Sequence, residues 1–537
     1  MAKGYLAFVL HAHLPYIRHP EDEFFMEERW LYEAITETYI PLIQGFDRLI
    51  AENIPFKLTL SVSPPLVCML NDSLLQQRYV NHLKRMLELA EKEIHRTKDT
   101  EYHDTAKMYR QRLQESYDIF CHRYNCNLNH AFKKFQDMGR VELITCGGTH
   151  GYMPFMQKEE SIYAQVENAV NNHRRTFGKN PNGIWIPECA YKEGVDRVLK
   201  ELGIKFFFTD THGVLYADRR PRYGIYAPIF CRSGVAAFAR DIESSKQVWS
   251  ANEGYPGDVD YREYYRDIGF DTDEEYIWEY IHPDGIRQNT GFKYHRITGD
   301  VDLSEKAPYV PEWAEQKVQQ HTGNFIFNRE KQIEHLSSLM DRKPIIVAPY
   351  DAELFGHWWY EGPRFLEVLF KKINDNPNKI VELITPMDYL NEYPCNQVAT
   401  PCESSWGNNG YHYVWLCKEN DWIYRHIHEA TERMVELANN YPHTYGVQSR
   451  ALNQAGRELM LAQASDWAFI MYTGTTVEYA VRRTKTHLHN FLRLYDMIRE
   501  NRIDEGWLSN LEYKNNIFPE MDYRSFRSRE TAQNAAV

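Results

Sequence analysis

The sequence predicts an α/β fold in which short buried strands alternate with helices. Eight apolar runs are typical of strands covered on both faces, as in parallel sheets: GYLAFVL, KLTLSV, VELITC, GIWIP, KFFFTD, VAAFA, PIIVAP and IVELITP. Helix-length stretches such as SIYAQVENAVNNHRRTF separate them. Because strand and helix follow one another repeatedly, a closed barrel is at least as good an interpretation as an open sheet.

Two regions depart from this alternation. Residues 216–297 hold one strand pattern among long polar and aromatic stretches, which predicts an insertion over the barrel mouth. From residue 421 to about 501 the pattern is helical throughout. We therefore assign residues 1–395 to a barrel domain, with a helical segment at about 75–137 and a lid-like insertion at about 213–297. Residues 396–520 form a helical C-terminal domain in this interpretation, and residues 521–537 a flexible tail.

Composition narrows the class of protein. The 537 residues are 43% hydrophobic, enough for a large folded core. A net charge of −13 argues against the basic surface that a nucleic-acid binder needs. The nine cysteines are odd in number and show no CxxC spacing, which favours reduced thiols. With a mean hydropathy of −0.60 and an N-terminal apolar run that stops at His11, we expect a soluble cytoplasmic protein with neither nucleic acid nor membrane as a partner.

Aromatic residues are the unusual part of the composition. The chain holds 37 Tyr and 12 Trp, and both side chains combine a flat apolar face with a polar edge. Most aromatic rings pack in protein cores, but a surplus of this kind also suits stacking on sugar rings.

Polar residues follow the ends of the predicted strands, where α/β barrels place their reactive groups. Five strand ends carry such groups: His11 and His13, His150, Glu188, His212, and Asp351 with Glu353. A single histidine at such a position is as readily a hydrogen-bonded structural residue, and this alternative applies to His150 and His212.

The two carboxylates Glu188 and Asp351 carry the stronger signal. Each directly follows an apolar run, where a carboxylate without a partner loses solvation. Asp351 could instead cap a helix that begins at Ala352, and Glu188 could pair with an arginine. Two carboxylates in an aromatic cleft suggest glycoside chemistry: a separation of about 5 Å predicts retention of configuration, and about 6.5 to 9.5 Å inversion.

Several motifs resemble a known family in order and spacing. HAHLPY, GGTHGYMP, WIPECAY, PYDAELFGHWWYEGP and ASDWAFIMYTGTTVEYA are similar to conserved regions of glycoside hydrolase family 57, and most similar to those of its 1,4-α-glucan branching enzymes. The resemblance covers nearly the whole chain, from His11 to about Tyr479.

This resemblance implies a distorted TIM-like (β/α)7 barrel with an inserted helical part and a C-terminal helical domain. It makes Glu188 the nucleophile and Asp351 the acid/base, in agreement with the residue-level interpretation. His11, His13 and His150 would line the subsite of the sugar under attack. No cofactor and no metal are expected, and an α-glucan would be both donor and acceptor.

The resemblance also suggests residues that bind the glucan. They are Trp278, Trp406, Trp415, Trp467, Asp466, Arg266 and Gly291, with a looser match for the last two. Trp30 occupies a similar position but could equally pack in a helix interface. Trp406 lies in the loop-like segment SSWGNNGYHYVW, which favours a binding role.

Branching requires that a glucan hydroxyl, and not water, intercept the glycosyl-enzyme. The resemblance suggests a mobile loop with an aromatic tip, here within YADRRPRYGIYAPIFCRSG, and the candidates for the tip are Tyr216, Tyr223, Tyr226 and Phe230. The alternatives are an α-amylase or 4-α-glucanotransferase of the same family, a metal-dependent polysaccharide deacetylase-like barrel using His11 and His13, and a non-catalytic glucan-binding protein.

Overall fold

A computed structural model describes residues 2–250 and 253–529. Nine strands form one sheet: β1 (Gly4–Ala12), β2 (Leu58–Val62), β3 (Val141–Cys146), β4 (Gly183–Trp185), β5 (Phe206–Thr209), β6 (Ile229–Phe230), β7 (Ala236–Ala239), β8 (Ile345–Asp351) and β9 (Val381–Leu383). The order is β6-β7-β5-β4-β3-β2-β1-β8, with β9 also paired to β1, and only the β6–β7 pair is antiparallel. All eight predicted strands are present.

The sheet curls into a barrel. Just after β7, the backbone N–H of Asp241 donates a hydrogen bond to the carbonyl of Val347 in β8 at 2.9 Å, so the two ends of the sheet approach each other. Apolar side chains fill the interior, including Val9, Trp185 and Phe208, all fully buried. The α/β prediction is therefore confirmed in its barrel form.

Helices cover the outside of the barrel and continue beyond it. They are α1 (Arg29–Glu33), α2 (Ile40–Ala51), α3 (Pro64–Asn71), α4 (Ser73–Arg96), α5 (His103–Tyr117), α6 (Asn129–Asp137), α7 (Glu159–Phe177), α8 (Val195–Glu201), α9 (Thr211–Leu215), α10 (Ile242–Trp249), α11 (Ile268–Asp271), α12 (Glu274–Ile277), α13 (Pro311–Leu339), α14 (Gly362–Asp375), α15 (Pro386–Glu392), α16 (Trp422–Asn440), α17 (Gly446–Ala462), α18 (Ser465–Thr473), α19 (Val477–Arg499) and α20 (Glu505–Lys514). Within the described residues, no helix has the length and apolar character of a membrane span.

The helices after β9 form the predicted C-terminal helical region. The central contact joins α17 and α19, whose apolar faces meet through residues such as Leu459 and Phe491. The predicted domain limits stay a prediction.

Two parts of the sequence-based outline look different in the structure. The span predicted as a lid, 213–297, contains β6 and β7, and β7 pairs with β5 in the barrel wall. The segment that leaves the barrel therefore begins after β7 and returns at β8. The predicted flexible tail begins in packed chain, since Tyr523 and Phe526 are buried. Residues 530–537 of that tail lie outside the described residues.

Candidate active site

The ends of several parallel strands open into one large cavity of about 1210 Å³. Ten residues singled out in the sequence line it: His11, His13, Trp30, His150, Glu188, Asp351, Glu353, Trp406, Trp415 and Asp466. Strand register explains part of this convergence, because the backbone of His11 in β1 lies beside Asp351 in β8 on one side and beside Ser61 in β2 on the other.

Glu188 is held firmly at the end of β4. It lies in a single 3-10 turn with φ of 62°, in the left-handed region that a non-glycine residue adopts at a cost. Its Oε2 accepts a hydrogen bond from the indole Nε1–H of Trp406 at 2.8 Å, and its Oε1 accepts one from the hydroxyl of Ser465 at 2.8 Å. The backbone of Trp406 also donates to the Glu188 carbonyl at 3.0 Å, which fixes the turn.

Asp351 has a different environment at the end of β8. It is the last residue of the strand, and no group in residues 2–250 or 253–529 donates a hydrogen bond to its carboxyl group. Its carboxyl group is nevertheless enclosed by the same cavity. The two carboxyls therefore share a site but not a hydrogen-bonding environment.

The contacts of Asp351, Glu188 and His212 decide between the catalytic and structural roles considered for them. The Asp351 side chain makes no capping hydrogen bond to the 3-10 turn that begins at Ala352. No arginine or lysine of the described chain lies within salt-bridge distance of Glu188. His212 takes the structural role, because its Nε2 lies 2.7 Å from the carbonyl of Gly410 and the residue does not line the cavity.

These environments shift the two pKa values to different extents. Burial raises the pKa of Asp351 well above its ordinary value, and the charges of Glu353 and Glu188 raise it further. Burial also raises the pKa of Glu188, but the hydrogen bonds from Trp406 and Ser465 oppose the shift by stabilising the carboxylate. The arrangement favours a protonated Asp351 beside an ionised Glu188.

A chain of hydrogen bonds leads from the histidines to Glu188. Burial lowers the pKa of His11 and of His150 well below the ordinary value, so both imidazoles are neutral. Their Nε2 atoms are 3.1 Å apart, and the Nδ1 of His150 lies 2.8 Å from the Ser465 hydroxyl oxygen. Since Ser465 donates its one proton to Glu188, its oxygen accepts from Nδ1–H of His150. The Nε2 of His150 must then accept from Nε2–H of His11.

The pKa of His13 is shifted in the opposite direction to those of His11 and His150. Burial alone lowers its pKa, but the neighbouring carboxylate of Asp466 reverses this effect and raises it. The Nε2 of His13 lies 2.9 Å from Oδ1 of Asp466, and its backbone N–H donates to Oε1 of Glu353 at 3.2 Å. The other oxygen of Asp466, Oδ2, is buried and has no partner in the described chain.

Metal-ligand side chains also come together here, because ligand atoms of His13, His150 and Asp466 all lie within 4.8 Å of one another. The rings of His13 and His150 are stacked with centroids 3.7 Å apart and planes 11° apart. An imidazole binds a metal in its own ring plane, and two parallel stacked planes do not converge on one ion. His13 and His150 would have to reorient before they could share a metal.

Two tryptophans predicted to bind glucan, Trp467 and Trp278, do not line the cavity. Trp467 is fully buried, and its Nε1–H donates to the carbonyl of Leu461 at 2.8 Å, which leaves its ring no free face for a sugar. Trp278 is 48% exposed, but it lies against Gly285 and does not line the cavity.

Arg266 and Gly291 also lie outside the cavity lining. The Arg266 guanidinium pairs with Asp271 at 2.8 Å and donates to the carbonyl of Leu303 at 2.7 Å, so it braces the segment between β7 and β8. Gly291 has a φ of 88° and donates its N–H to Asp267 at 2.9 Å. For these two residues and Trp278, a role in glucan binding stays a prediction.

None of the four lid-tip candidates reaches the cavity. Tyr216 is 71% exposed, Tyr223 hydrogen-bonds to Asp341, and Phe230 belongs to β6, while Tyr226 packs against the core. The segment after β7 supplies aromatic lining instead, and its members include Trp249, Tyr264 and Phe270.

Sequence reasoning missed two residues that shape the site. Ser465 stands directly before Asp466, within a motif already singled out. Trp358 follows in the same motif as Asp351 and lines the cavity with 53% of its surface exposed. Proximity to a recognised motif was the available signal in each case.

The fold and this cavity define an enzyme built on a parallel α/β barrel, with two carboxyl groups in the cavity at the ends of β4 and β8. Residues 7–401 match the profile described as glycosyl hydrolase family 57, and the chain belongs to this family. Residues 426–526 match a second profile, described as the C-terminal part of 1,4-alpha-glucan branching enzymes.

Known relatives cover almost the full chain. The 1,4-alpha-glucan branching enzyme TK1436 from Thermococcus kodakarensis is 34% identical, over 96% of this chain and 77% of its own length. The crystal structure of a GH57-type branching enzyme from Pyrococcus horikoshii superposes with a TM-score of 0.88 at 33% identity, covering 98% of this chain and 97% of the other. The crystal structure of the alpha-amylase AmyC from Thermotoga maritima gives a TM-score of 0.92 at 46% identity, covering 98% and 99%.

Proposed function

We propose that this family 57 enzyme is a 1,4-α-glucan branching enzyme that works by a retaining double displacement, with Glu188 as nucleophile and Asp351 as acid/base. The observation that carries the proposal is the contrast between the two carboxyl groups. Two donors align Glu188 and favour its carboxylate form, whereas Asp351 is enclosed without a donor, which favours its protonated form. Pairs of carboxyl groups with pKa values pushed apart in this way divide the work of acid and nucleophile.

The first step breaks an α-1,4 bond of the donor glucan. The Glu188 carboxylate attacks the anomeric carbon and forms a covalent ester, while Asp351 gives its proton to the departing O4 of the leaving chain. Positive charge develops on the sugar ring in this step. The carboxylates of Asp466 and Glu353, which flank His13, contribute to the field around that charge.

The second step makes the branch. The Asp351 carboxylate now takes the proton from the 6-hydroxyl of an acceptor glucan, and that oxygen attacks the anomeric carbon as the bond to Glu188 breaks. The product is an α-1,6 linkage, and both carboxyl groups return to their starting protonation states. Water attack in place of the acceptor would give hydrolysis, so the same pair also serves an α-amylase.

Several cavity residues suit a polyhydroxylated chain. Asp466, His11 and His150 all line the cavity, and their polar side chains are suited to hydrogen-bond sugar hydroxyls. Trp406 is partly buried and presents an indole to the cavity while its Nε1–H holds Glu188. Trp415 is only 1% exposed and is stacked on Tyr152 at 4.6 Å, so it forms a rigid wall more than a free platform.

The C-terminal region is the reason to assign branching, and not hydrolysis, as the reaction of this enzyme. Residues 426–526 match the branching-enzyme profile, and this region supplies Ser465 and Asp466 to the site. The alternative, an α-amylase, is supported by the 46% identity to a structure titled as an alpha-amylase. The two reactions share the donor step and differ only in what accepts the glycosyl group.

We also propose a physiological setting: the enzyme acts in the cytoplasm on glycogen- or starch-like glucan, which serves as donor and acceptor. The cysteines support a reducing compartment, since all nine are free thiols.

Linkage analysis separates branching from hydrolysis. Amylose is incubated with the enzyme, and the products are examined by proton NMR for α-1,6 linkages and by a reducing-sugar assay. Branching predicts new α-1,6 linkages with little gain in reducing ends. Reducing ends in excess over new branches, or α-1,4 products alone, would reject it in favour of the amylase or the 4-α-glucanotransferase.

A further inference from the structure

An aromatic pair lies on the cavity wall, apart from the groups used so far. The rings of Trp358 and Tyr264 are stacked, with centroids 4.5 Å apart and planes 27° apart. Trp358 follows β8, and Tyr264 belongs to the segment between β7 and β8, so two distant parts of the chain meet here. Both residues line the cavity.

Tyr264 is fixed from behind. Its hydroxyl lies 3.1 Å from Nε2 of His357, whose Nδ1 lies 2.5 Å from Oε2 of Glu37. The side chains of His357 and Glu37 are only 17% and 12% exposed, which shields this ion pair from solvent. The Lys293 ammonium lies 5.3 Å from the centroid of the Tyr264 ring. Tyr264 is therefore a rigid support and not a free ring.

Trp358, in contrast, keeps half of its surface open. It is 53% exposed in the cavity, whereas Trp415 is 1% exposed. Its backbone N–H donates to the carbonyl of Glu353 at 3.2 Å, which links the ring to the loop that begins at Asp351. A large, flat, exposed apolar surface with a rigid backing is suited to bind a flat apolar face of a ligand.

We infer that Trp358, backed by Tyr264, is a stacking platform for a glucosyl ring on the Asp351 side of the site. This side holds the leaving chain in the first step and the acceptor chain in the second, because Asp351 must reach the oxygen that joins them to the transferred sugar. The inference rests on the proposed function and extends it from the catalytic pair to the selection of the acceptor.

A glycosyl fluoride donor separates the two steps. α-Maltotriosyl fluoride forms the glycosyl-enzyme with fluoride as the leaving group, so no sugar needs to occupy the Asp351 side. The pre-steady-state burst of fluoride measures this first step. The increase of the steady-state rate with added maltoheptaose measures transfer to an acceptor.

The Trp358→Ala variant should lower the acceptor kcat/KM roughly tenfold more than the burst rate, the size expected from the loss of one stacking contact worth about 1.4 kcal/mol. Trp358→Phe should lose less, because a ring remains. Tyr264→Phe keeps the backing ring and should lose least. Trp313→Ala serves as the matched control, since Trp313 is 47% exposed but lies outside the cavity lining.

The outcomes are distinct. Equal losses in burst and transfer would place Trp358 on the donor side and overturn the inference, as would no loss in either measurement. Circular dichroism and Tm of each variant identify a folding defect, in which case Trp358→Phe and Tyr264→Phe carry the test. A wild-type enzyme that releases no fluoride, or a Glu188→Gln variant that releases it normally, would instead contradict the proposed function.

Discussion

The ends of β4 and β8 present the same chemical group in two different settings. At β4 the Glu188 carboxylate receives hydrogen bonds from an indole and a hydroxyl, and its backbone is held in a left-handed conformation. At β8 the Asp351 carboxyl group ends a regular strand and receives none within the described residues. The surrounding protein desolvates both carboxyl groups, so desolvation alone does not assign their roles. The hydrogen bonds from Trp406 and Ser465 distinguish Glu188 from Asp351.

The donors to Glu188 come from beyond the predicted barrel domain. Trp406 lies in the segment after β9, and Ser465 begins α18 in the helical region. The backbone N–H of Ser465 also donates to the carbonyl of His150 at 2.9 Å, which attaches α18 to the barrel. The C-terminal region therefore completes the environment of Glu188, and its described residues donate no hydrogen bond to the Asp351 carboxyl group.

The largest expected effect follows from removing the carboxylate of Glu188, the proposed nucleophile. Glu188→Gln should reduce turnover of amylose roughly 10⁴-fold or more, because no covalent intermediate can form. The initial rate of amylose consumption measures this. Glu432→Gln, which changes an exposed carboxylate with side-chain exposure of 61%, should behave as wild type. If Glu188→Gln retained its turnover, the assignment of Glu188 as nucleophile would be contradicted.

The next effect distinguishes the second carboxyl group from the first. Asp351→Asn should lower amylose turnover about 10²- to 10⁴-fold, the range for loss of a general acid. With α-maltotriosyl fluoride, the burst should fall much less, since fluoride departs without a proton. A variant that fails equally on both donors would show that Asp351 does more than transfer a proton.

Removing one hydrogen-bond donor should bring the environment of the Glu188 carboxylate closer to that of the Asp351 carboxyl group, which has no donor. Ser465→Ala should lower kcat/KM roughly tenfold, as expected for one hydrogen bond to a charged group. Without that bond the carboxylate is less stable, the pKa of Glu188 rises, and the acidic limb of the pH profile moves to higher pH. The profile of kcat/KM tests this, with exposed Ser338→Ala as control. A shift toward lower pH would contradict the hydrogen-bond direction deduced above.

The smallest effect concerns the alkaline limb. The Glu353 charge raises the pKa of Asp351, so activity that needs protonated Asp351 is lost as pH rises through that value. Glu353→Gln removes the charge but keeps an oxygen to accept from His13 and Tyr39. The alkaline limb should move to lower pH by less than about one unit. If the alkaline limb stayed at the same pH or moved to higher pH, the charge of Glu353 would not raise the pKa of Asp351.

The sequence predicted the barrel because its strands are continuous apolar runs, and it predicted Glu188 and Asp351 because both follow such runs. It also identified Trp406 and Asp466 as cavity residues through the motifs that hold them. Its prediction that Trp467 binds glucan was wrong, because the same sequence pattern occurs whether an indole faces a cleft or, as here, the core. Only three-dimensional packing separates these two cases.

Other features depended on contacts between distant segments. The Ser465 to Glu188 hydrogen bond joins residues 277 positions apart, and the stack of Trp358 on Tyr264 depends on how the segment after β7 folds back. The same limitation explains the lid-tip candidates. The stretch from 216 to 234 is rich in aromatic residues, yet Phe230 belongs to β6 and the Tyr226 hydroxyl accepts a hydrogen bond from Gln332 in α13. Tyr216 is exposed and lies outside the cavity lining.

The most direct test of the division of labour is to trap the covalent intermediate. Asp351→Asn is mixed with α-maltotriosyl fluoride, which needs no acid to form the glycosyl-enzyme but leaves no base to activate its acceptor. Peptide mass spectrometry should then find one maltotriosyl group on the peptide that contains Glu188. A maltotriosyl group on any other residue, or none after a measured fluoride burst, would contradict the assignment of Glu188 as nucleophile.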